Sequence, residues 1–225
     1  MRYLKLFEEF MNKEEVLSWM YSNNILGRNE ELNKDGIKKL LNYLIDRNPN
    51  IIEKTALKNC HAVGLNSFIL NFDPKIRLFI CDDECEIKKY DPSNPVIPIH
   101  PHKYDDLFFQ INGNLVHHLY ERRRDGIKFN KYNFIRLNNI NTDITKLGEE
   151  NLRYIGQFSN INRLRSKTLH TVSVEGDCSW IIIETKKDDT FSEIFYHQNL
   201  QKRGELYQPF DNPISFLKDF VNHKI

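Results

Sequence analysis

His100, His102 and Asp106 are the residues of this chain best suited to chemistry, in the run Ile99-His100-Pro101-His102-Lys103-Tyr104-Asp105-Asp106-Leu107-Phe108. In an extended strand, side chains two positions apart share a face, so His100, His102, Tyr104, Asp106 and Phe108 point one way. Two imidazoles and a carboxylate converging on one point are a ligand set that borderline divalent metals prefer. A third imidazole is needed to close such a site. His170, in the apolar-alternating run Leu169-His170-Thr171-Val172-Ser173-Val174, is the candidate. Tyr104 shares the face and could donate a hydrogen bond to a bound substrate, or pack as an aromatic with a satisfied hydroxyl. A His-x-His pair by itself is equally consistent with a structural role.

Other histidines offer less. His117 and His118 are adjacent in a strand-like run and fall on opposite faces, so at most one faces an interior. Both read as rim or surface residues rather than ligands. His61, His197 and His223 have no evident partner, and Trp180 is most simply core. No glycine-rich phosphate loop and no Gly-x-Ser-x-Gly nucleophile motif is present.

The elements that must position these residues change character along the chain. The first ~60 residues have helical periodicity. Asn12 is a cap candidate for a helix with Val16, Trp19 and Met20 on its apolar stripe. Asn33 begins a second helix, with Ile37, Leu40, Leu41 and Leu44 at helical spacing, which proline stops at Asn48-Pro49. A short third helix runs from Pro49 to about Leu57. From about residue 66 the segments become short, aromatic and β-branched: 67–72, 76–81, 96–100, 107–111, 115–120, 133–137, 154–158, 168–174, 179–185 and 194–196. Gly113-Asn114 reads as a hairpin turn, and the polar stretch 138–150 as a long loop with one helical turn. Many short strands without alternating helices predict an antiparallel sandwich or barrel. Asp211-Asn212-Pro213 then caps a last helix with Ile214, Leu217, Phe220 and Val221 on its apolar face.

The bulk composition bounds the rest. The chain has 225 residues, 40% hydrophobic, with 15 Phe and 10 Tyr, enough for a large core. Lys and Arg (32) nearly balance Asp and Glu (31), so nothing drives the chain globally toward nucleic acid or an anionic membrane. The runs Arg122-Arg123-Arg124 and Arg163-Leu-Arg165-Ser-Lys167 read as solvated charge. Cys60, Cys81, Cys85 and Cys178 do not make a secreted disulfide framework and read as buried free thiols. Acidic residues interrupt the opening segment where a secretory signal needs an apolar run, and no stretch approaches the ~20 apolar residues of a membrane span. A soluble, cytoplasmic protein without a membrane partner is expected.

The spacing His-x-His-x3-Asp-x6-Gly, from His100 to Gly113, resembles the first metal motif of the cupin superfamily, and His170 resembles the single histidine of its second motif. Locally the chain is most similar to thiol dioxygenases of the cysteine dioxygenase-like group, through Ile99-His100-Pro101-His102, Phe108, Gly113-Asn114-Leu115, Leu169-His170-Thr171-Val172 and Ser179-Trp180. Asn94, Arg165, Lys167 and Val174 stand where the two motifs carry other residues. The resemblance implies a mainly β fold, a jelly-roll (double-stranded β-helix) barrel over residues 63–210. An N-terminal helical segment, 1–62, would pack on it, and a C-terminal helix, 211–225, would close the chain. It also implies that His100, His102 and His170 hold Fe(II), with Mn, Ni or Zn as alternatives, for a dioxygenase acting on a small substrate, with a thiol as one candidate. Asp106 stands at the cupin carboxylate position. Being one methylene shorter than the usual glutamate, it is either a fourth ligand or an acceptor that orients a histidine. A non-catalytic cupin-fold binding or accessory protein, a metal-assisted isomerase, and a homodimer through a sheet edge stay open.

Overall fold

Alternation of side chains across strands decides which face meets which layer. In the computed structural model, described over residues 13–27, 33–60, 63–72, 75–81, 85–88, 90–102, 106–136, 142–159, 163–184, 192–197 and 208–225, the strand Lys75–Cys81 buries Ile76, Leu78 and Ile80 toward one side. Arg77 and Phe79 point to the other. Strand Asp106–Arg136 does the same, with Leu107 and Phe109 on the first side and Asp106 and Phe108 on the second.

The first side is covered by helices. α1 (Lys13–Ser22), α2 (Lys34–Arg47), α3 (Pro49–Thr55) and α4 (Pro213–Lys224) share one apolar core with the sheet. In it Leu41, Ile52, Leu217 and Val221 meet Phe68, Leu70, Leu78, Phe109 and Ile183. Asn33 caps α2, its side-chain oxygen accepting from the backbone N–H groups of Asp35 (3.1 Å) and Gly36 (3.4 Å). Pro49 opens α3 one residue after Asn48, as the proline rule predicts. Pro213 likewise opens α4, but Asn212 is left-handed (φ 51°) and its side chain makes no cap. The expected Asn12 cap lies outside the described residues.

The sheet is mainly antiparallel and large. Its strands are β1 (Leu57–Cys60), β2 (Leu65–Phe72), β3 (Lys75–Cys81), β4 (His100–Pro101), β5 (Asp106–Arg136), β6 (Thr142–Ser159), β7 (Arg163–Leu164), β8 (Leu169–Glu184), β9 (Ser192–Tyr196) and β10 (Gln208–Pro209). The order is β10-β1-β2-β3-β8-β5-β6, with β4 on β8 and β7 and β9 on β5. All four cysteines are buried, and none is in a disulfide among the described residues.

Two expectations need correction. Gly113-Asn114 is not a hairpin turn. Both residues lie inside the continuous strand β5, where the register against β8 shifts between Gln110 and Asn114. Gly113 takes φ +68°, and a Cβ there would sit 2.5 Å from the Asp177 carbonyl oxygen, so the position is a glycine bulge that bends the strand without ending it. Residues 142–150 are strand, not loop: β6 pairs with β5 along 17 register positions from Val116↔Ser159 to Arg136↔Thr142. Its side chains are mostly solvated, so the apolar alternation that marks a strand is absent there, while the backbone ladder forms regardless.

Candidate metal centre

β4 is only two residues long, yet it places His100 directly opposite His170 of β8. The approach to it is fastened from both sides. Ile99 exchanges two backbone hydrogen bonds with Phe195 of β9 (2.9 and 2.7 Å), and the Thr171 hydroxyl donates to the Ile97 carbonyl at 2.8 Å. One residue beyond β4, the His102 carbonyl accepts from the Lys167 N–H at 2.7 Å. Backbone pairing therefore presents three imidazoles together. One ring nitrogen of each of His100, His102 and His170 lies within 4.8 Å of the others, a grouping able to hold a metal ion. The nearest approach is His102 Nε2 to His170 Nε2, at 2.8 Å.

Each ring also has its far nitrogen engaged, which sets its orientation. His100 Nδ1 donates to the Pro98 carbonyl at 2.9 Å, leaving its Nε2 as a lone pair. His102 Nδ1 meets the Asp106 carboxylate. His170 Nδ1 faces Nδ1 of His117 at 3.3 Å, the two rings stacked 23° apart. Phe108 packs edge-on against His102, His117 and His170, closing the apolar side.

The electrostatics suit neutral donors. Burial pushes the His170 pKa well below the ordinary imidazole value, and the neighbouring His100, His102 and His117 push the same way. Burial, then His102 and His118, takes His117 down to about 3. Unprotonated imidazoles are what a metal ion requires. Burial raises the Asp106 carboxyl above its usual range, opposed by its bond to His102. Further along the same face, burial would raise Glu184, but Arg77 and Lys75 beside it hold it lower, Lys75 Nζ standing 3.0 Å from the carboxylate.

Of the residues singled out from sequence, His100, His102 and His170 come together. Asp106 is engaged with His102 and is not among the three converging donors. Tyr104 lies outside the described residues. His117 and His118, expected at a rim or surface, are instead 0% and 1% exposed. β5 is covered on both faces here, and the apolar flanks Leu115-Val116 and Leu119-Tyr120 were the signal for that. His118 points away from the triad. It is stacked on Tyr90, its Nε2 is 2.7 Å from the Ser173 hydroxyl and its Nδ1 3.3 Å from the Tyr154 hydroxyl.

Comparison with known proteins adds no name to this geometry: no protein-family model matches the chain, and no curated protein does. Among the described residues no helix is long and apolar enough to cross a membrane.

Proposed function

We propose that the chain is a metal-dependent enzyme of the cupin kind, a non-haem Fe(II) dioxygenase acting on a small substrate, with thiols as the first candidates. The observation that carries this reading is the convergence of three imidazole nitrogens within 4.8 Å, two of them on rings whose other nitrogen meets a carbonyl or a carboxylate. The sheet would be the jelly-roll barrel that cupins use, with the triad on its interior face and the helices on the outside.

His100, His102 and His170 would hold the ion. When bound, Fe(II) supplies a site at which dioxygen and a substrate thiolate can be held side by side, because three neutral ligands leave its charge and several positions available. The chain's own residues have definite tasks. The Pro98 carbonyl and the Asp106 carboxylate hold the His100 and His102 rings so that each Nε2 presents a lone pair. Phe108 excludes water from the buried side of the triad. Orientation of two reactants in one site is the main catalytic resource that such residues provide.

Oxygen uptake by the Fe(II)-loaded full chain, measured against a panel of small thiols, tests the activity. Uptake that depends on one thiol class and disappears in His170→Ala supports it. No uptake with any thiol by protein that holds iron would transfer the site to non-redox metal chemistry or simple binding.

A further inference from the structure

His117 is a fully buried imidazole on the triad side of β5, and its Nε2 finds no hydrogen-bond partner among the described residues. Its other ring nitrogen faces His170 Nδ1 at 3.3 Å. Following the protons shows what this arrangement does. With Asp106 ionised, the neutral His102 donates from Nδ1 to its carboxylate, so His102 Nε2 is a lone pair. The 2.8 Å contact between His102 Nε2 and His170 Nε2 then requires the proton to sit on His170. That leaves His170 Nδ1 as an acceptor, filled by a proton on His117 Nδ1. The chain of donation runs His117 to His170 to His102 to Asp106.

Metal ligation through His170 Nε2 needs that nitrogen's lone pair. The His170 proton must then reside on Nδ1, where its neighbour is His117 Nδ1, which must in turn become the acceptor and carry its own proton on Nε2. We propose that His117 is the positioning residue of the metal centre: a tautomer partner that switches from donor to acceptor as His170 becomes a ligand. This rests on the reading of the triad as a metal site. The same exchange moves one proton within each of two rings and releases none from the pair.

The test uses the full chain with Zn(II) as a diamagnetic probe. Nitrogen NMR of imidazole-labelled protein, before and after Zn(II), should show His170 passing from the Nε2–H to the Nδ1–H tautomer and His117 from Nδ1–H to Nε2–H. Zn(II) affinity should fall roughly 10–100-fold in His117→Leu. It should stay within a few-fold of the natural chain in His117→Asn, whose amide oxygen can replace the ring Nδ1 as acceptor. An unchanged His117 tautomer on Zn(II) binding, or equal affinities in the Leu and Asn variants, would overturn the inference and leave the metal site standing. No Zn(II) or Fe(II) binding by the natural chain would overturn both. Because the NMR readout needs no substitution, it decides the matter even if a His117 variant fails to fold.

Discussion

His117 and His118 are neighbours in one strand, both buried, and they differ in how their ring nitrogens are engaged. His118 has both ring nitrogens within reach of hydroxyls, from Ser173 and Tyr154, and its face is covered by Tyr90. His117 has one nitrogen against another imidazole and the other without a partner among the described residues. The first is a closed, satisfied arrangement of the kind that stabilises a core; the second is one end of a row of imidazoles that reaches the triad. The difference teaches that burial alone does not mark a functional histidine. What marks it is whether its hydrogen-bonding capacity is consumed locally or passed toward a cluster of like groups.

The comparison can be broken most forcefully on the His117 side. His170→Ala removes one of the three proposed ligands, so metal affinity should fall by more than the ~10–100-fold that losing an outer partner costs. Metal analysis of the purified variant against the natural chain checks this. Asp106→Ala leaves all three proposed ligands but frees the His102 ring, and the loss should lie within that ~10–100-fold range, read by competition with a metal chelator. Retention of full affinity in Asp106→Ala would mean that the carboxylate does not orient His102.

Substitution on the other face should act on stability and leave the metal alone. His118→Phe removes hydrogen bonds to Ser173 and Tyr154 and strands those hydroxyls, a loss of about 1–3 kcal/mol in denaturant unfolding, with metal affinity unchanged. The pH dependence sharpens the point. Burial lowers the His118 pKa in the folded protein from about 6.5 to about 4. Between these values the unfolded chain binds the proton and the folded one does not, so stability rises with pH across the window. A fully linked group contributes a slope of about 1.4 kcal/mol per pH unit. His118→Phe should flatten the rise between about pH 4 and 6.5, measured as the unfolding free energy at several pH values.

The triad was legible because its spacing is local: His100 and His102 are two apart in an extended segment, and His170 lies in a strand with the same alternation. The place of Asp106 was not, since a carboxylate that joins the three converging nitrogens and one that meets the far nitrogen of His102 can occupy the same sequence position. Helix boundaries at Asn33 and Pro49 followed from capping and proline chemistry, which act within a turn. The length of β5 did not, because Gly113 can serve a turn or a bulge, and only the Asp177 carbonyl across the sheet decides between them. The first half of β6 was hidden for a related reason. Its strand is fixed by pairing with β5 rather than by burial, and pairing leaves no mark on a solvated sequence.

The most direct test of the central claim is a calorimetric titration of the full chain with Fe(II) under anaerobic conditions, repeated with Mn(II), Ni(II) and Zn(II). One saturable Fe(II) site per chain is expected, abolished in His170→Ala and preserved in His118→Phe. No saturable binding by any of the four ions, or binding that His170→Ala leaves intact, would contradict it.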